Sequence, residues 1–279
     1  MRDMQRAVCQ RIFADDMAHI SFAKWQGTGN DFIVVDDRSG RFPAADPALV
    51  RHLCDRHFGI GSDGLILVRM PQAAGTAYHM EFFNPDGSRS FCGNGSRCAY
   101  AFYSALLPQG KPPDQLKFTA IDGEHTASTV HDQVNIGMRD VTGIERLSAD
   151  MDLIHTGSPH LLVWVDDPEG LDILPAAHVH RYSDRFKREG VNVNFVRWKN
   201  GQLEMRTYER GVENETLSCG TGVTAAALGA MARGLVRRSC PVRTRGGELR
   251  VDAEPWGEGF RAIILAGPAT HVFNGEVEI

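Results

Sequence analysis

The stretch FCGNGSRCAYAF, Phe91 to Phe102, returns in outline as SCGTGVTAAAL, Ser218 to Leu228. Each reads Cys-Gly-x-Gly and then runs into a small-residue segment with helical spacing. The two cysteines, Cys92 and Cys219, stand about half a chain length apart, which is the signature of an internal repeat. The first helical segment, Ser96 to Leu107, meets Pro108, which cannot continue a helix. The second, Val223 to Ala232, ends near Gly234, a residue suited to the left-handed position after a helix. Around the wheel this second segment is almost wholly small or apolar, so it belongs inside a core and not on a surface. The repeat therefore predicts an α/β protein of the α+β kind. Its two similar halves would be related by a pseudo-two-fold axis, each helix wrapped by strands.

Working outward, the flanking sequence reads as short strands separated by turn clusters. HISFAKWQ, Phe32 to Val35, LILVR, YHMEFF, LKFTA and VNIGM carry strand-like runs or alternation, and GTGND, GIGSDG, NPDGS and PQGKPPD separate or flank them. LLVWV, VNFV, LEMRTYE, PVRT, ELRVD and RAIILAG repeat the style in the second half. Two further helices are expected, at Asp46 to Phe58 and at about Arg181 to Arg188. Patterned sequence begins only at Ile20, so residues 1–19 read as an extension without structural duty, with Met17 as an alternative start.

With 279 residues, 42% hydrophobic and 23% charged, the chain can bury a sizeable core without metals or disulfides. A net charge of -5 and no long basic run exclude a nucleic-acid backbone binder. No apolar run approaches the ~18 residues that span a bilayer, and the N-terminus has no secretory apolar region. The six cysteines fit no zinc template and are too few for a disulfide scaffold, so they read as free thiols of a cytoplasmic protein. Cys98 reads as packing; Cys9, Cys54 and Cys240 have no supporting context. Gly220-Thr-Gly222-Val-Thr-Ala225 matches a dinucleotide pattern, but no acidic residue follows at the spacing ribose binding wants.

Glycines after a cysteine let the backbone turn sharply and approach a ligand. A helix N-terminus follows, with unpaired N–H groups and the positive end of the dipole, a ready site for a carboxylate. A thiol there is expected to have its thiolate stabilised. Two such turns can present two thiols to one ligand from opposite sides. Inversion at an amino-acid α-carbon needs that arrangement. A thiolate removes the α-proton from one face, a thiol delivers a proton to the other, and charge developing in the carboxylate meets waiting N–H donors.

At these residues the sequence resembles the diaminopimelate epimerases, cofactor-independent enzymes of lysine synthesis. WQGTGNDFIVVD, FFNPDGSRSFCGNGSRC and TYERGVENETLSCGTG carry the resemblance, with FGIGSDGLIL, GSPH and GVNVNF in the family's order around them. It spans roughly residues 20–279. It implies that Cys92 and Cys219 are the acid/base thiols. The N–H groups of Gly93 and Asn94 would meet the reacting carboxylate from one side, and those of Gly220 and Thr221 from the other. It implies that Arg210 pairs the distal carboxylate of diaminopimelate, that Asn30, Asn84 and Asn192 fix the same end, and that Glu209 and the pocket residue His160 also serve the site. Ser158 stands where the family commonly has asparagine, which puts one substrate contact in question. The family further implies interconversion of LL- and meso-diaminopimelate with no cofactor or metal, a homodimer, and a last strand that returns to the first domain. The domains would then be 20–138 with 266–279, and 139–265, two pseudo-symmetric domains that are each a curved, mostly antiparallel sheet around a central helix. Two other readings stand beside this one: a racemase of a smaller amino acid, and a non-catalytic amino-acid binding protein.

Overall fold

The structure is a computed structural model that describes residues 19–108 and 112–279. The expected N-terminal extension, with Cys9 and Met17, lies outside the described residues except for His19, which opens the first strand. The first half runs β1 (His19–Gly27), β2 (Asn30–Asp36), α1 (Pro47–Cys54), β3 (Gly64–Arg69), β4 (Tyr78–Phe83), α2 (Gly93–Leu106), β5 (Leu116–Ala120), β6 (Gly123–Val130) and β7 (Gln133–Gly137). The second runs β8 (Glu145–Ser148), β9 (Met151–His155), β10 (Pro159–Trp164), α3 (Ile173–Arg181), β11 (Asn192–Lys199), β12 (Gln202–Glu209), β13 (Asn214–Thr216), α4 (Gly220–Ala232), β14 (Ser239–Thr244), β15 (Gly247–Trp256) and β16 (Gly259–Gly267). β17 (Thr270–Glu278) then pairs with β1, antiparallel, from His19 opposite Glu278 to Gln26 opposite Thr270.

The halves repeat one pairing order. In the first, β1–β2 is antiparallel, β2–β3 parallel across α1, β3–β4 antiparallel, β4–β5 parallel across α2, and β5–β6–β7 antiparallel. In the second, β9–β10 is antiparallel, β10–β11 parallel across α3, β11–β12 antiparallel, β12–β14 parallel across α4, and β14–β15–β16 antiparallel. A helix bridges each parallel pair because parallel strands need a long crossover. The equivalent strands β7 and β16 pair with each other and join the halves into one continuous sheet. β8 borders β9 as β17 borders β1, so the repeat is pseudo-two-fold and mostly antiparallel.

Side-chain alternation builds three layers from one sheet. Phe32 and Val34 of β2 and Ile66 and Val68 of β3 point inward to α2; Ile33, Val35, Leu65 and Leu67 point outward to Val50 and Leu53 of α1. The second half does the same, with Leu161, Val163, Val193 and Phe195 packed on Ile173 and Ala177 of α3. Strands buried on both faces explain the continuous apolar runs of the sequence. The central helices share one core, in which Cys98, Ala99 and Tyr100 of α2 and Val223 to Leu228 of α4 are buried.

Helix ends follow their local chemistry. Asp46 caps α1 by accepting from the N–H of Ala48 at 2.8 Å. α4 closes with Gly234 at φ 72°, the N–H of Gly234 donating to Met231 and that of Leu235 to Ala230, a Schellman ending. The helix expected near Arg181 to Arg188 is displaced: α3 ends at Arg181 and the charged run after it forms turns. Pro175 is compatible with α3 because it falls in the first turn, where its missing N–H costs nothing.

Candidate active site

Cys92 and Cys219 are the N-cap residues of α2 and α4, with nearly identical backbones: φ -131°, ψ 110° and φ -125°, ψ 112°. Each cysteine thus sits where the chain stops being extended and the helical N–H groups become available. The glycines that follow let the two helix ends abut. A Cβ on Gly93 would come 3.5 Å from the Cα of Gly220 and 3.0 Å from Leu265 Cδ2; one on Gly220 would meet the backbone N of Asn94 at 3.2 Å and Leu265 Cδ2 at 3.1 Å. Gly93 and Asn94, like Gly220 and Thr221, occupy the first two helical positions, whose N–H groups have no intrahelical acceptor.

Both cysteines line one cleft of about 850 Å³. Asn30, Asn84, Ser158, Asn192, Glu209, Arg210 and Thr221 line it too. So the structure brings most of the residues expected from the sequence to one cleft, while Gly93, Asn94 and Gly220 are buried at the helix ends and do not line it. His160 differs: it is wholly buried one layer behind the cleft wall, at the inward positions of β10, and both of its ring nitrogens are taken by protein groups. It shapes the wall and does not reach the cleft.

The hydrogen bonds around His160 assign its proton. Asn194 Nδ2 donates to the carbonyl of Leu161 at 3.1 Å and its Oδ1 accepts from Thr207 Oγ1 at 3.0 Å, which fixes the amide orientation. Its Nδ2 then faces His160 Nδ1 at 3.3 Å, which must accept. Burial pulls the imidazole pKa down to about 3, so the ring is neutral and the proton is on Nε2. Nε2–H lies 2.9 Å from both Ser158 Oγ and Thr221 Oγ1. The Thr221 hydroxyl hydrogen is thereby left for Cys219 Sγ at 3.5 Å. Ser158 also accepts from Asn192 Nδ2 at 3.2 Å.

The remaining cleft side chains are held from behind. Asn30 donates to Asp63 Oδ2 at 2.6 Å and accepts from Asn94 Nδ2 at 3.1 Å. Arg56 bridges Asp31 and Asp63, at 2.6 Å to each. Asn192 Oδ1 accepts from the N–H of Arg210 at 2.9 Å. The Arg210 guanidinium donates to the carbonyl of Glu189 at 2.9 Å and has no carboxylate partner among the described residues. Glu209 Oε2 accepts from Thr216 Oγ1 at 2.9 Å, and burial raises its carboxyl pKa. Asn84 is more exposed and bonds within its own turn, to Ser88 and Ser90.

The expectation of thiols shifted toward thiolate is reversed by the protein alone. Burial pushes Cys92 up to about 12 although the N–H of Gly95 donates to its Sγ at 3.3 Å. Burial pushes Cys219 up further, and the charge of Glu209 raises both. Desolvation outweighs the helix ends. Sequence reading did not anticipate Arg97, Thr28, Asp63 or Leu265, each of which contacts or supports the cysteine turns. The Arg in CGNGSRC was visible but gave no sign of what it would contact.

The family model described as diaminopimelate epimerase matches residues 22–139 and 153–272. The chain is 41% identical to the diaminopimelate epimerase of Flavobacterium psychrophilum over 255 residues, 90% of this chain and 97% of that one. It is 35% identical to that of Aquifex aeolicus over 278 residues, 92% of this chain and 98% of that one. Among solved structures, a hydroxyproline epimerase from Agrobacterium vitis superposes with a TM-score of 0.68 at 17% identity, over 94% of this chain and 93% of that one. A PhzF-family phenazine biosynthesis protein from Bacillus anthracis gives 0.67 at 15% identity, over 94% and 100%. Likeness at these identities shows a shared fold.

Proposed function

The chain belongs to the diaminopimelate epimerase family, and from that premise we propose that it interconverts LL- and meso-2,6-diaminopimelate by moving a proton between Cys92 and Cys219. The observation that carries the proposal is the pair of cysteine N-caps on two abutting helix ends that open on one cleft. The α-carboxylate lies between the N–H groups of Gly93 and Asn94 and those of Gly220 and Thr221, where charge spreading into it is stabilised. The substrate's α-ammonium offsets Glu209, whose charge adds to burial in holding both thiols protonated. One thiol then gives its proton to solvent, takes the α-proton from one face as a thiolate, and the other thiol protonates the opposite face. Each cysteine ends in the state its partner began in.

The substrate follows from the far end of the cleft. Arg210 has a guanidinium without a carboxylate partner among the described residues, backed by Asn192, and it suits a distal carboxylate in a bidentate pair. A racemase of a smaller amino acid has no use for it. Arg210→Gln is expected to lower kcat/KM for diaminopimelate by about 100-fold. A variant that retained full activity would point to a monocarboxylate substrate instead. The proposal extends to the setting: lysine and peptidoglycan-precursor synthesis, in the cytoplasm, as a homodimer. The free state of Cys54, Cys92, Cys98, Cys219 and Cys240 suits a reducing compartment. Half-exposed Val272 and Phe273 on β17 suit an apolar contact between protomers.

The test is turnover of LL-diaminopimelate in D₂O. The wild type should place deuterium at the α-carbon of the meso product, and Cys92→Ala and Cys219→Ala should each abolish product. Full product formation by either variant would sink the two-thiol mechanism.

A further inference from the structure

Arg97, in the second turn of α2, is the largest fully buried side chain among the described residues. Its guanidinium donates from Nε to the carbonyl of Pro268 at 3.1 Å, from Nη1 to Asn94 Oδ1 at 3.0 Å and from Nη2 to Thr28 Oγ1 at 3.2 Å. All three acceptors are neutral, and no carboxylate lies within ion-pair distance among the described residues. Burying an unpaired cation is costly, so it calls for an anion that the protein itself does not supply. The fold makes room for it. A Cβ on Gly27 would come 3.1 Å from Nη2, and one on Gly267 3.2 Å from Cζ.

Two routes lead from this guanidinium to the residue before Cys219. Through Asn94, whose Nδ2 donates to the carbonyl of Ser218 at 3.1 Å, it reaches the backbone of the second turn. Through Thr28, 3.0 Å from Ser218 Oγ, it reaches the side chain. Asn94 is also the second residue of α2, one of the positions whose N–H is proposed to meet the substrate carboxylate. One buried cation thus ties the two cysteine turns together from behind. It does not itself line the cleft.

We propose that Arg97 is the buried counter-charge of the site: a positioning residue that holds the two cysteine turns in register and favours the state in which one thiol is a thiolate beside a bound carboxylate. The proposal rests on the reading of Cys92 and Cys219 as the acid/base pair. Burial lowers the Arg97 pKa to about 10, which leaves it charged at neutral pH. Its charge favours the Cys92 thiolate. The opposing groups are Glu209 of β12, which disfavours both thiolates, Asp63 ahead of β3, which acts on Glu209, and Cys92 itself, whose charge disfavours ionisation of Cys219 and Cys98. Neutral donors complete the surroundings: the N–H groups of Asn94, Gly95 and Gly222 and the Thr221 hydroxyl.

The experiment is alkylation of Cys92 and Cys219 by iodoacetamide as a function of pH, resolved by peptide mass, beside the pH profile of kcat/KM. Removing a nearby positive charge raises a thiol pKa. Arg97→Met should move the Cys92 titration and the rising limb of kcat/KM up by about one pH unit, and lower kcat/KM at neutral pH by roughly tenfold or more. Arg97→Lys should keep the titration near its wild-type position while kcat/KM falls, because the charge stays and the three-way fork is lost. Activity lost in folded Arg97→Met with unshifted titrations would overturn the counter-charge and leave packing alone. If the Met variant does not fold, the Lys variant decides: a titration displaced by a full unit despite the retained charge overturns the proposal. The alkylation curves need no turnover, so a failure of the two-thiol reading appears separately, as activity surviving in Cys92→Ala or Cys219→Ala.

Discussion

The two cysteine turns share a backbone and differ in everything that carries charge. At Cys92, a half-buried residue, the thiol accepts N–H groups alone, chiefly that of Gly95, and the helix behind it buries Asn94, Ser96 and Arg97. At Cys219, a buried residue, the thiol meets a hydroxyl, from Thr221, beside the N–H of Gly222, and the helix behind it is almost wholly Ala, Gly, Val and Leu. The cation is in the first half, the neutral donor chain Asn194–His160–Thr221 is in the second, and the Glu209 carboxyl acts on both. Inversion at one carbon asks for symmetric geometry and unequal protonation. Here the repeat supplies the first and the substitutions on it supply the second.

The comparison is tested most severely by removing one thiol at a time. Each Cys→Ala variant should lose at least about 10³-fold in kcat, the scale of positioned acid/base catalysis. In the proposed mechanism the thiols face opposite sides of the α-carbon, so residual α-deuterium exchange into recovered substrate should differ between them. One variant should label only the LL isomer and the other only the isomer inverted at that carbon. If both labelled the same isomer, the opposed arrangement would be broken.

A smaller effect is expected from the glycines, and it too should be unequal. In Gly93→Ala the new methyl presses on Leu265, a side chain able to shift; in Gly220→Ala it also meets the backbone N of Asn94 at 3.2 Å. Backbone that must present N–H groups to a carboxylate cannot give without misplacing them, and small misplacement is costly in rate. Gly220→Ala should therefore lose about tenfold more kcat/KM than Gly93→Ala. Equal losses, measured on folded variants, would mean that Leu265 alone sets the spacing.

The frame of this comparison was legible in the sequence because it is local. Alternation marked most of the strands, and Cys-Gly-x-Gly followed by small residues marked both central helices. The failures were also physical. The charged run after Arg181 looks helical by composition, yet α3 lies before it, because a proline in a first turn is harmless and sequence composition does not show where the turn begins. Arg97 was opaque for another reason. Its partners Thr28 and Pro268 are 69 and 171 positions away, and nothing in the chain announces that β1, β16 and α2 converge on one guanidinium. His160 was placed near the site from its motif, but its seat behind the wall depends on Asn194, which sits opposite Leu162 in the β10–β11 register and carried no signal of its own.

The smallest expected effect isolates the second turn. Thr221 Oγ1 takes a hydrogen bond from His160 and has its own hydrogen to give to Cys219 Sγ, a donor that favours thiolate. Thr221→Val keeps the shape and the backbone N–H but removes that donor. The folded pKa of Cys219 should rise, so its thiolate forms only at higher pH. The rising limb of kcat/KM should move up by about half a pH unit, with a roughly threefold loss at neutral pH. Thr221→Ser should restore the wild-type profile. Alkylation should show the shift on Cys219 and leave Cys92 unmoved, the mirror image of what Arg97→Met does. If Thr221→Val moved Cys92 as well, the two halves would be titrating as one unit, and the division into a charged turn and a neutral one would have to be given up.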